Sequence, residues 1–226
     1  INNCKNDFNI IIIDDNSFEN IIPNWNINLT KVALPIKYHL RNLALMNVLY
    51  YYGGLLVPSS FICYKSLYEI YYSSLTKSDM FAFEFVNKSV TSNKSKFSMQ
   101  MNFIGCIKNS ENMKDYINFL SIVNSKDFVS EQDILGISNQ WLENNNIMKI
   151  DGMYIGSKDT KSNPILIDNL MKNEYIDIYE YSVSVYIPWY DIVNRIHYQW
   201  FAYLNEKEIL NSDTNIGKYF LLTGHS

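Results

Sequence analysis

Charge is scarce in this sequence: Asp, Glu, Lys and Arg make up 19% of its 226 residues, against the ~25% usual in soluble domains. The lysines and arginines are scattered, as at Lys88, Lys94, Lys96 and Lys161, and the net charge is −4. Without a basic stripe, nucleic-acid binding has no electrostatic support. Long apolar runs are missing too. The longest, around residues 43–57, is broken by Asn47 and by Gly53-Gly54, short of the ~18 uninterrupted residues of a membrane span. Cysteine is rare. Cys4, Cys63 and Cys106 are far apart and form no CxxC pair, which excludes a readable zinc ribbon or disulfide framework. They read as small apolar residues of the interior. The sequence contains no HExxH, no P-loop and no GxSxG elbow, and no signal-peptide pattern. A cytoplasmic protein is expected.

What is present is an interior. Hydrophobic residues are 47% and aromatics 15% of the chain, enough to exclude disorder and to fill one sizeable core. No repeat and no linker divides the sequence, so a single domain over 1–226 is expected. The β-branched run at residues 10–13 ends in Asp14-Asp15-Asn16 and reads as a strand buried on both faces. Ser17 would cap a short helix that Pro23 stops. Pro35 opens a long apolar helix, Gly53-Gly54 ends it, and residues 55–57 follow as a short strand stopped by Pro58. A further helix is predicted over 65–73. Strands are expected over 80–86 and 97–107, with a polar loop over 87–96 between them.

Ser110 caps an amphipathic helix bearing Met113, Tyr116, Ile117, Leu120 and Val123. Residues 130–133 resemble a capping box for the next helix. Asp151-Gly152 between two apolar runs predicts a two-residue hairpin. Pro164 opens a helix with Ile165, Leu166 and Leu170. Residues 181–187 alternate as a strand, and Pro188 starts an aromatic helix with Ile192, Ile196, Trp200 and Tyr203. One or two short helices close the chain. This alternation of strands and helices predicts an α/β fold, a mainly parallel sheet flanked by helices with a helical C-terminal region. Such sheets bind ligands beyond the C-terminal ends of their strands, here near residues 14–16 and 58–60.

Residues 43–61 read LALMNVLYYYGGLLVPSSF, and residues 8–25 read FNIIIIDDNSFENIIPNW. Together they resemble the core of DxD-type glycosyltransferases, the grouping of capsular-polysaccharide synthesis and mannosyltransferase-like proteins. That core is a buried helix, Tyr-Gly-Gly, and a short strand ending in Asp-x-Asp. The resemblance covers the first third of the chain and implies a GT-A-like domain with a nucleotide-sugar pocket. In that chemistry the carboxylates hold Mn²⁺ or Mg²⁺, which neutralises the leaving diphosphate.

Here Pro58 and Ser60 fall on the two aspartate positions. The Asp-x-x-Arg pair of the preceding helix falls on Asn42 and Leu45, with Arg41 one turn before Leu45. No metal site is therefore expected, and Mn or Mg would need substitute carboxylates. The nucleotide-sugar-binding candidates are Asp14, Asp15, Asn42, Gly53, Gly54, Ser59 and Ser60. Asp14 and Asp15 would contact a ribose or base, supply replacement ligands, or merely hydrate a strand end. Ser59 and Ser60 would reach phosphate or satisfy a turn. Trp189, Tyr190, Trp200 and Phe201 would offer a sugar-stacking platform or core packing. His39, His197 and His225 stand apart from one another.

Two functions compete. One is a nucleotide-sugar transferase working without a metal. The other is a catalytically silent relative that binds a partner protein, a glycan or a nucleotide. The abundance of residues with A/T-rich codons fits an AT-rich genome, such as that of a giant virus. A viral source would place the protein in the host cytoplasm.

Overall fold

The computed structural model describes residues 2–84, 99–126 and 131–224. In chain order these form helix α1 (Phe18–Ile21), helix α2 (Ile36–Tyr52), strand β1 (Gly54–Leu56), strand β2 (Phe61–Cys63) and helix α3 (Tyr68–Leu75). Strands β3 (Met80–Glu84) and β4 (Met99–Cys106), helices α4 (Glu111–Asn124) and α5 (Glu131–Asn144), and strand β5 (Met148–Ile150) follow. Helix α6 (Ile167–Leu170), strand β6 (Ser184–Tyr186), and helices α7 (Trp189–Asn194), α8 (Glu206–Leu210) and α9 (Asn215–Leu221) complete the order. The chain falls into two compact units. A sheet unit comprises Ile11–Val57 and Ile70–Ile150, and a C-terminal unit comprises Ile1–Ile10, Pro58–Glu69 and Asp151–Ser226.

The sheet unit is mixed α/β. Its strands lie in the order β1-β4-β3-β5. β4 pairs antiparallel with both β1 and β3, and β5 pairs parallel with β3. The expected mainly parallel ladder is thus corrected: of these pairings only β3–β5 is parallel. Yet β1, β3 and β5 all run the same way, and the reversed β4 between β1 and β3 makes the neighbouring ladders antiparallel. β3 is buried along its whole length, as the apolar run of its first four residues requires.

Gly105 on β4 faces Phe81 of β3 in register. A Cβ there would stand 2.2 Å from the Phe81 ring, so glycine makes room for the aromatic. Phe83 and Phe103 stack beside it with ring centroids 4.0 Å apart. On the helical side, Met46 and Leu49 of α2 join Met113, Tyr116, Leu120 and Val123 of α4 in one core with β3 and β4. Every one of those α4 residues was legible from its helical spacing. Ser110 caps α4 as expected, its Oγ accepting from Met113 N at 3.0 Å.

Several expectations are overturned. Residues 10–13 form no strand. Ile10, Ile11 and Ile12 are 44%, 75% and 86% exposed, because among the described residues no strand flanks them and a lone extended run has no ladder to join. Asp151-Gly152 makes no hairpin. Asp151 instead caps a 3₁₀ turn (Gly152–Ile155), its carboxylate accepting from Met153 N at 2.9 Å. Pro164 forms a β-bridge with Lys158, and α6 starts only at Ile167. The aromatic helix after Pro188 breaks at extended Arg195 into α7 and a 3₁₀ turn over Gln199–Tyr203. The expected loop over 87–96, the outer ends of the two strands around it, Ser130 of the capping box and His225 lie outside the described residues.

The C-terminal unit contains the antiparallel pair β2–β6. Sequence reading missed β2, whose three residues show no period. Ile62 and Val185 from this pair pack with Ile167, Leu170, Ile192, Phe201 and Ile216. Among the described residues, no helix is long and apolar enough to cross a membrane.

Candidate functional site

Helix α2 organises the candidate residues of the sheet unit. It begins after Pro35 and runs for 17 residues, because its apolar residues have cover on several sides. Ala44 packs with Phe18 and Leu29, while Met46 and Leu49 turn to the sheet core. The helix ends at Gly53, whose N–H donates to Leu49 O at 2.7 Å. Gly53 has φ +71° and Gly54 φ +105°, values that glycine adopts without strain. The two reverse the chain directly into β1, as the sequence predicts. Packing fixes the choice at Gly53, where an added Cβ would stand 2.7 Å from Lys108 N. Tyr71 lies against the same turn, accepting from the Gly54 backbone, and burial foremost raises its phenol.

Asp15 pairs with two cations of this helix. Arg41 donates to it twice, Nε to Oδ1 and Nη2 to Oδ2, both at 2.6 Å. Lys37 Nζ lies 3.0 Å from the same Oδ2. Lys37 and Arg41 are four residues apart on α2, so they share a face. The Arg41 fork, with Lys37 adding to it, holds Asp15 down at about 2 although desolvation works the other way. Asp15 raises Arg41 in return.

Asp14 does different work. Its Oδ1 accepts from Ser17 Oγ at 2.6 Å and from Asn16 N at 3.0 Å, and the Ser17 hydroxyl foremost lowers its carboxyl. Asp14 therefore closes the turn before α1. Ser17 spends its hydroxyl on that turn and caps no helical N–H.

The remaining candidates separate. Asn42 is buried, with Nδ2 4.0 Å from Met101 Sδ on β4, so its side chain sits in the core. Ser59 and Ser60 belong to the C-terminal unit. Ser59 is exposed, and Ser60 O accepts from Ile187 N at 3.0 Å, extending the β2–β6 pair. Phe201 is buried, whereas Trp189, Tyr190 and Trp200 are exposed. Among the described residues no three acidic, histidine or cysteine side chains cluster as a metal site would need.

Sequence reading overlooked Lys37 and stopped short of pairing Arg41 with Asp15. The available signal was the Lys37/Arg41 spacing of four on a helix otherwise poor in charge.

The arrangement has a definite chemical character. One carboxylate, Asp15, is paired with both a guanidinium and an ammonium. Compared with protein-family models, with curated proteins and with solved structures, the chain matches none.

Proposed function

We propose that the sheet unit is a GT-A-like scaffold that binds the diphosphate of a nucleotide sugar, as an atypical or catalytically silent relative of the sugar transferases. One observation supports this reading: a 17-residue, partly buried helix, two positive-φ glycines and a short strand follow one another in the chain, the same order as in the core that residues 43–61 resemble. The common direction of β1, β3 and β5 supports it.

The chemistry differs from that of a metal-assisted transferase. Pro58 offers no side-chain ligand and Ser60 only a neutral hydroxyl, so the anions that would hold Mn²⁺ or Mg²⁺ are replaced at that strand end. Charge on a bound diphosphate would be met by cations. Arg41 and Lys37, held by Asp15, are the candidates in the sheet unit, because a fixed guanidinium matches phosphate geometry. A catalytically silent binder is favoured over an active enzyme by the same replacement, since leaving-group charge would lack its metal.

Thermal shift against UDP-, GDP- and CMP-sugars, with and without Mn²⁺, tests this. A donor that binds the native state raises Tm. Stabilisation by at least one donor without Mn²⁺, weakened in Lys37→Met, is expected. No shift with any donor would defeat the binding reading. Manganese-dependent stabilisation with donor hydrolysis would overturn the metal-free assignment.

A further inference from the structure

In the C-terminal unit the sulfur atoms of Cys4 and Cys63 lie 3.6 Å apart. Three contacts press the segment after Asn3 onto the end of β2 and the residues that follow it. Asn3 Nδ2 donates to Cys63 O at 2.9 Å, Ser66 Oγ donates to Asp7, and the rings of Phe8 and Tyr68 meet edge to face. Asp7 N and Phe8 N both donate to Cys4 O, so Cys4 sits in a closed turn. The two sulfurs are thereby fixed about 1.5 Å beyond covalent bonding distance. Nothing in the sequence joined these residues, which are 59 positions apart.

We infer that Cys4 and Cys63 form an oxidation site, a dithiol that a hydroperoxide converts to an intramolecular disulfide. The two sulfurs are unlike. The neighbouring Cys63 thiol foremost, and the Leu67 N–H, lower Cys4, against burial and the nearby Asp7. Cys4 and burial push Cys63 up. A thiolate is the nucleophile in such chemistry, and Cys63 Sγ keeps its proton by donating to Lys65 O at 2.7 Å, so Cys4 attacks and Cys63 resolves.

In the first step the Cys4 thiolate attacks one peroxide oxygen. The O–O bond breaks, hydroxide or alkoxide leaves, and Cys4 becomes a sulfenic acid. In the second step the Cys63 sulfur attacks the Cys4 sulfur. The S–S bond forms, the S–O bond breaks, and the hydroxyl departs as water with the Cys63 proton. Two thiols supply the two electrons that reduce the peroxide. The product closes a covalent ring around residues 5–62, which include α1, α2 and β1.

Cys106 provides an internal control. It is fully buried, burial foremost pushes its thiol up to about 12, and its Sγ lies 3.4 Å from Leu49 O.

The test uses the intact chain, hydrogen peroxide at stoichiometric dose, and N-ethylmaleimide added under denaturing conditions. Before oxidation all three cysteines take the label. Afterwards only Cys106 is expected to do so, with a mass loss of two hydrogens and one linked peptide joining Cys4 to Cys63. Dithiothreitol restores all three. In Cys63→Ser the reaction should stop at Cys4 as a dimedone-reactive sulfenic acid. Cys106 should react at least about tenfold more slowly than Cys4. Three labelled thiols after oxidation, a disulfide between two chains, or Cys106 reacting as fast as Cys4 would each overturn the inference. Peptide mapping of the unmodified chain decides the matter even if the variant fails to fold.

Discussion

The Asp15 carboxylate holds the Arg41 guanidinium as a two-pronged fork, with both hydrogen bonds at 2.6 Å across 26 residues of sequence. It ties the irregular segment before α1 to the long helix α2, and Lys37 joins from the next turn of that helix. A bidentate pair of this kind is worth more than a single exposed contact.

The fork makes the stability of the sheet unit depend on acid. Asp15 titrates at about 2 in the folded protein, below its ordinary 3.8. A depressed carboxylate contributes stability above its unfolded value, and that contribution fades as pH falls through the folded one. Arg41→Ala should cost about 1 kcal/mol at pH 7. The difference from the unmodified protein should shrink as pH falls from 3.8 towards 2. Urea unfolding midpoints across that range check it, and a pH-independent difference would remove the fork as the cause.

Gly53 should tolerate no side chain. Its positive φ and the backbone of Lys108 both oppose a Cβ. Gly53→Ala should cost roughly 2–3 kcal/mol. Gly54 has positive φ but open space around it, so Gly54→Ala should cost only about 1 kcal/mol. Chemical denaturation of the two variants side by side gives the comparison, and equal losses would show that backbone strain alone matters.

Gly105 and Phe81 should behave as one packing unit. Phe81 is fully buried and flanked edge to face by Tyr71 and Phe83, so its ring has little room to yield. Gly105→Ala should destabilise by about 1–3 kcal/mol. Adding Phe81→Leu should recover part of that loss, giving a coupling of about 1 kcal/mol in a double-mutant cycle. Strict additivity would contradict the register of β3 against β4.

Asp79 should anchor the start of α4 jointly with Ser110. Its Oδ2 accepts from Ser110 Oγ at 2.7 Å and from Asn112 N at 3.2 Å. Burial pushes this carboxyl up, but Ser110 and Asn112 hold it below its ordinary value. Asp79→Ala should cost about 1–2 kcal/mol. It should also speed hydrogen exchange in the first turn of α4 more than in its last. Uniform loss of protection along α4 would point to a global effect.

Local patterns made much of this molecule legible. The span and cap of α4 follow from Ser110 and the spacing of Met113, Tyr116, Leu120 and Val123, since a helix exposes its period in its own sequence. The turn from α2 into β1 follows from Gly53-Gly54, since few residues other than glycine accept those backbone angles. Such features depend on near neighbours, and the sequence by itself determined them.

Long-range pairing was different. Nothing near residues 10–13 shows whether another strand will lie beside them, so an apolar run that reads as core stays exposed. The reversal of β4 depends on which edges meet, and no residue within β4 encodes it alone. The Asp15–Arg41 fork and the Cys4–Cys63 contact each join residues that the chain carries far apart. Tertiary structure alone decided these, because a hydrogen bond or a sulfur contact requires proximity that only the completed packing supplies.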